Sequence, residues 1–282
     1  MNLQTQSTQT NRSLNRRTIQ TIDEELNPQQ IYELITSKEW RYTPKHQTAY
    51  ACRDRAGMAL TFLTAGRVSE IFGGDRFQRI YIAGLCKDPY KGNWVEDKLC
   101  SSDGKPLRHQ GLQVEDITSD ANFITLNNMG VSKRSQKLIN KYGKTVAQRS
   151  RLIFLLKTGL YDNPCYDQLV PYAWLVREYL VLYAPKTGKL FPYGDTRAYQ
   201  IIVHCTGRWP HWFRVMSQRF LGSYITKDYI KRSKFLNITN PMSAMPYLSY
   251  NPYEDLKNKE HVLPSKWIES AVAAIKKRVS VG

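Results

Sequence analysis

No run of eighteen or more apolar residues exists anywhere in the 282-residue chain, and its start, MNLQTQSTQTNRSLNRR, lacks the apolar stretch of a signal peptide. Membrane insertion and secretion are therefore not expected, and a cytoplasmic or nucleoid location is. Cysteine is sparse. The five present, Cys52, Cys86, Cys100, Cys165 and Cys205, are odd in number, widely spaced and form no CxxC pair, which argues against a disulfide framework or a zinc ribbon and for reduced, mostly buried thiols. Acidic residues are also scarce, and no Asp/Glu/His constellation of the kind a metal-dependent nuclease uses to hold its cation stands out. His204, Cys205 and His211 are close in sequence, but a zinc site there is the minor reading. There is no internal repeat and no RNP-type motif.

What is abundant is positive charge. Lys+Arg number 41 against 24 Asp+Glu, a formal charge of +17, so the chain attracts polyanions by counterion release and long-range steering. Nucleic acid and an anionic membrane surface both fit that charge, and the absence of membrane-seeking segments favours nucleic acid. Hydrophobic content of 41% is enough for a core.

Residues 1–25 are rich in Gln, Thr and Asn, contain Arg12, Arg16 and Arg17, and have no acidic residue before Asp23. They read as a disordered basic arm, either a DNA-backbone contact or a solvated tail. Residues 26–282 read as one domain, mixed α+β and mainly α-helical. Asn27 as N-cap with Pro28 behind it predicts a first helix, with Ile31, Leu34 and Ile35 on one face. A second helix is expected over 49–64, a tight turn at Gly66, and a new helix from Arg67 carrying Val68, Ile71 and Phe72. Residues 73–110 read as a loop-dominated insertion with a short strand at 79–83. Residues 122–156 read as a hairpin with a long basic tip. Helices are expected at about 166–183, 196–206, 211–222, 226–236 and 265–279. Ser265 would cap the last, whose face comprises Ile268, Ala271, Val272 and Ile275.

Two short segments carry the chemistry. TAGRVSE surrounds Arg67, and PHWFR contains His211 and ends at Arg214; Tyr247 follows. Guanidinium forks bind non-bridging phosphate oxygens bidentately and stay charged at any working pH, so two of them can hold a scissile phosphate through its transition state. A tyrosine supplies the attacking oxygen. Arginine, histidine, arginine and a late tyrosine, in that order, are what phosphodiester transfer through a tyrosine nucleophile needs.

These residues resemble the tyrosine recombinases, or phage-type integrases, in their archaeal and archaeal-virus members, over roughly residues 50–255. RDRAGMALTFLTAGRVSEI resembles the family's first arginine box, GLQVEDI with NFITL the strands that follow, PHWFRVMSQRFLGSY the H-x-x-R box, and NPMSAMPYLSY the tyrosine box. The resemblance implies that Arg67 and Arg214 clamp the phosphate, that His211 hydrogen-bonds it, and that Tyr247 attacks to give a 3′-phosphotyrosyl link and a free 5′-hydroxyl. Neither a metal nor another cofactor is needed. Tyr247 is preferred over Tyr250 because Asn240, Pro241 and Ala244 match the spacing of the tyrosine box. The implied general acid is a hairpin lysine, and Lys133 is preferred over Lys144 because it follows directly on the strand expected to end at Val131. Glu70, one turn beyond Arg67, either orients an arginine or the lysine or forms a surface ion pair. Arg134, Lys137, Lys144, Lys227, Lys231 and Arg232 are candidate DNA contacts. Double-stranded DNA is the implied partner, with dimers on two half-sites and tetramers at a synapse.

The sequence departs from the pattern at Ile238, nine positions before the tyrosine, where the family has a hydrogen-bond donor; Asn237 or Thr239 would have to supply it. Only 66 residues precede Arg67, fewer than a core-binding domain needs, so the insertion or a second subunit would complete the clamp on the duplex. Pro246 holds the backbone before Tyr247 away from helix. These departures define the alternative function, a catalytically weak or inactive relative that binds DNA as an architectural or regulatory protein.

Overall fold

In the computed structural model, residues 26–36, 47–74, 80–82, 85–87, 94–96, 111–127, 129–130, 148–149, 151–226, 228 and 266–281 are described. The first helix, α1 (Pro28–Thr36), begins with a reciprocal cap: Asn27 Oδ1 accepts from the Gln30 backbone N–H and Gln30 Oε1 accepts from that of Asn27, both at 2.9 Å. Nine residues form no stable helix alone. Burial of Ile31 and Ile35, with Leu34 packed beside them, holds α1 on the core.

The centre of the molecule is a pair of helices, α2 (Gln47–Thr64) and α4 (Val170–Leu182). Each is buried along most of its length, α2 throughout its second half and α4 over Val170–Val176. Small residues of α2 make close approach possible. A Cβ at Gly57 would lie 2.7 Å from the Phe72 ring, so only glycine lets α3 (Val68–Phe72) pack there. The buried hydroxyls of Thr61 and Thr64 bond back to the carbonyls of Gly57 and Leu60. Helix α7 (Lys266–Val281) packs on α4 of its own chain. Ile268 and Ile275 are buried and Ala271 and Val272 half-buried, which is the face expected from the sequence. Trp267 Nε1 donates to Gln168 Oε1 at 3.0 Å, and Arg278 pairs with Glu178. Among the described residues no helix is long and apolar enough to cross a membrane.

The expected hairpin stem is present. Strand β5 (Phe123–Leu126) pairs antiparallel with β8 (Leu152–Leu155) and on its other side with β4 (Ile117–Ser119); β6 (Met129–Gly130) and β7 (Gln148–Arg149) extend the stem toward its tip. The sheet is fastened to α4 where Trp174 Nε1 donates to the Leu156 carbonyl at 2.8 Å. Residues 131–147, the tip, lie outside the described residues.

Two expectations need correction. First, among the described residues the insertion holds three short antiparallel strands rather than one: β1 (Ile80–Ile82), β2 (Leu85–Lys87) and β3 (Trp94–Glu96). Two of these were hidden because three-residue strands carry too little periodicity to register. The insertion's ends meet: Leu112 N–H donates to the Ile71 carbonyl at 2.9 Å, and a Cβ at Gly111 (φ 76°) would lie 2.5 Å from the Gly73 nitrogen. The tight turn expected at Gly66 is present, and within it Ala65 takes the left-handed conformation (φ 46°). Helix α6 (Pro210–Phe220) ends in a π-turn (Leu221–Ile225) that leads into an extended Thr226 (φ −155°), whose hydroxyl accepts the Asp228 N–H at 3.1 Å; most of the helix expected at 226–236 lies outside the described residues. Second, the helix expected from about 166 opens as a 3-10 turn (Pro164–Leu169) before α4. Residues 1–25, 229–236 and Ser265 lie outside the described residues. Of the cysteines, Cys52, Cys165 and Cys205 form no disulfide; Cys52 and Cys205 are buried and Cys165 is half-buried.

Candidate functional site

Arg67 is the N-cap of α3, and Glu70 stands one turn later, where its side chain reaches back. Glu70 Oε2 accepts the Arg67 backbone N–H at 2.7 Å and Oε1 accepts Arg67 Nη1 at 2.8 Å. Glu70 is completely buried, which overturns the surface-ion-pair reading and leaves the orienting one. A carboxylate taken out of water needs its charge matched, and Arg67 matches it twice. The Arg67 side chain keeps 25% of its surface exposed, and its Nε and Nη2 bond to nothing among the described residues. Those atoms form an accessible fork for an anion.

Arg214 comes from α6. That helix exists because α5 (Asp195–Thr206) ends in a sharp turn: Gly207 takes a left-handed conformation (φ 66°), the Thr206 hydroxyl accepts from the Arg208 N–H, and Pro210 occupies the first helical position after Trp209. His211 lies half-buried in the first turn of α6, and Arg214 follows one turn on, on the same face.

The two boxes meet through the backbone. Arg214 Nη1 donates to the Ala65 carbonyl at 2.5 Å, two residues before Arg67. Ala65 makes that bond possible by its conformation: it leaves the α2 path in the left-handed region, which non-glycine residues seldom adopt, and turns its carbonyl toward α6. The Thr64 hydroxyl accepts from the Gly66 N–H at 2.9 Å and holds the turn. Arg214 is thus a cationic cap on the C-terminal end of α2, where helix carbonyls lack partners. It is also fully buried, in contrast to Arg67.

The hairpin approaches the same place. Met129–Gly130 lie against α3, so the segment bearing the candidate lysines departs beside the helix that Arg67 begins. Arg67, Glu70, His211 and Arg214 are therefore gathered at one locus. Lys133, Tyr247, Arg134, Lys137, Lys144, Lys227, Lys231 and Arg232 lie outside the described residues, as do Ile238, Tyr250 and the rest of the tyrosine box. Sequence reasoning missed Ala65, and no signal pointed to it, because its contribution is a carbonyl oxygen that every residue carries.

A second charged cluster adjoins the core. Arg53 lies 4.7 Å from the ring centroids of both Tyr50 and Tyr193 and pairs with Asp54 at 2.7 Å; Asp54 also accepts the Tyr193 hydroxyl at 2.7 Å. These bonds join α2 to the segment leading into α5 and leave Asp54 buried and satisfied.

No protein-family model, no curated protein and no solved structure matches this chain.

Proposed function

We propose that this protein is a site-specific DNA recombinase of the tyrosine type, which cuts and rejoins double-stranded DNA through a 3′-phosphotyrosyl intermediate. One observation carries the reading. Two arginines 147 positions apart in sequence are brought together by a hydrogen bond from Arg214 to the Ala65 carbonyl, with His211 one turn from one of them and a buried Glu70 bonded to the other. Binding DNA by charge alone needs no such arrangement. Phosphoryl transfer does, because developing charge on the phosphate must be met by donors already in position.

In this reading Arg67 presents its open fork to a non-bridging oxygen and His211 donates to another. The Tyr247 oxygen attacks phosphorus, the bond to the 5′ oxygen breaks, and Lys133 protonates that leaving oxygen. The ester bond keeps the free energy of the broken link, so a 5′-hydroxyl from a partner strand can reverse the step without a cofactor. Subunits would pair on half-sites and form tetramers at a synapse. In this reading the insertion, rooted at the end of α3, completes the grip on the duplex.

The second reading, a DNA-binding architectural relative, is favoured by the complete burial of Arg214, whose Nη1 holds the Ala65 carbonyl. Trapping on nicked suicide duplexes tiled from the source replicon decides between them. The recombinase reading expects a detergent-resistant protein–DNA band that disappears in Tyr247→Phe. A band persisting in that variant moves the nucleophile to Tyr250. Tight DNA binding at the same salt with no band from either protein establishes the architectural reading.

A further inference from the structure

Behind the arginine pair lies a cavity of about 360 Å³ that the proposed chemistry does not use. Its inner wall is Phe62, Leu63, Phe154, Leu155 and Phe220, none more than 5% exposed, with the buried Ser217 among them. Its mouth is different. Arg151 and Ile153 of the β8 segment and Tyr161 line it and are exposed, Ile153 by 46% and Tyr161 by 47%; Leu160, beside Tyr161, is 41% exposed. Two of the eight large hydrophobic side chains exposed among the described residues thus line one opening, and a third is the sequence neighbour of one of them. Apolar surface left in water beside an apolar hollow marks a binding place more often than chance.

We propose that this cavity binds a compact amphiphilic anion, whose apolar body fills the hollow and whose single carboxylate or sulfonate meets the Arg151 guanidinium at the mouth. The volume admits about a dozen heavy atoms at roughly 30 Å³ each. The interior is too apolar for a sugar or a nucleotide, whose hydroxyls and phosphates would lose their hydration without replacement. The mouth selects the sign of the head group: among the described residues Arg151 is the one charged residue lining the cavity.

The walls connect the ligand to the site. Leu63 is two residues before Ala65, Ser217 is three after Arg214, and β8 is the return strand of the hairpin. Occupancy stiffens all three supports together, so the ligand acts as an effector. That consequence rests on the recombinase reading, whereas binding does not, and the two are measured separately.

The test uses the full chain and two probes, dodecanoate and uncharged dodecanol, below their aggregation concentrations, titrated by calorimetry. Dodecanoate is expected to bind saturably with one site per chain. Arg151→Glu, a change at an exposed side chain that leaves folding intact, weakens dodecanoate by about fivefold or more and leaves dodecanol unchanged. Ser217→Leu, which fills the hollow from its floor, removes binding of both probes. The proposal is overturned by an absence of saturable binding, by many equivalent sites, or by affinities that Arg151→Glu does not separate. The Arg151 comparison stands even if Ser217→Leu does not fold. Cleavage assays with and without dodecanoate then read the effector role alone.

Discussion

Arg67 and Arg278 each face a buried glutamate, and they use it differently. Arg278 presents Nε and Nη2 to the two oxygens of Glu178, the second at 2.9 Å, and Nη1 lies 3.5 Å from the Ala274 carbonyl. The whole guanidinium is engaged, and the pair spans 100 positions to fasten α7 onto α4. Arg67 offers Glu70 only Nη1, because the other carboxylate oxygen already holds the Arg67 backbone N–H. A three-residue separation inside one helical turn forbids the side-on fork and leaves half the guanidinium facing outward. One residue pair is a fastener at long range and an orienting device at short range.

That contrast is sharpest at the level of chemistry. Arg67→Lys keeps the charge beside Glu70 but loses the fork, so adduct formation on suicide duplexes should fall by at least about a hundredfold, with a melting temperature close to wild type. Unchanged cleavage would remove Arg67 from the site. Arg278→Ala should do the reverse. It leaves Glu178 nearly buried without its partner, and with Arg278 itself 43% exposed the loss is about 1–3 kcal/mol, read as a lower denaturant midpoint. Adduct formed per folded molecule should not change; a parallel loss of cleavage would break the distinction between the two pairs.

A smaller effect concerns the neighbours of the α7 pair. Burial pushes the Tyr32 phenol and the Cys52 thiol each up to about 12, with Glu178 adding to the rise and Arg278 opposing it. Both groups are neutral when protonated, and their folded values lie above the ordinary 10.0 and 9.0. Their contribution to stability is thus fully present below about pH 9 and is lost as pH rises toward 12. Melting temperature should be level through neutral pH and fall above 9, and Cys52 should resist alkylation at pH 8 in the native state. A fall that begins below pH 8 would show that other groups govern the alkaline limit.

Much of the fold was legible where one short-range rule dominates. The Asn27 and Pro28 signature placed α1 within a residue of its start, the apolar repeat along 49–64 marked α2, and the Ile268 and Ile275 stripe marked the packed face of α7. The hairpin stem was visible in the β-branched runs NFITL and RLIFLL. Where a distant contact sets a local conformation, short-range rules are silent. Glycine is the usual left-handed residue, yet Ala65 takes that conformation beside Gly66, because the bond its carbonyl makes to Arg214 comes from a helix 149 positions away. The strands β2 and β3 are too short to announce themselves and exist through pairing with each other and β1.

The sequence by itself determined the inventory: a strongly basic chain, mainly helical with a small antiparallel sheet, in which Arg67, a lysine-rich stretch, His211, Arg214 and Tyr247 follow in that order. Local propensity and charge need no third dimension. Only the tertiary structure decided which of those groups share a place and what each is free to do. Arg67 and Arg214 are both arginines in matching motifs, but one keeps an open fork at a helix start and the other is enclosed behind the Ala65 carbonyl. Burial and partner geometry are properties of packing between distant segments, and residue type does not encode them.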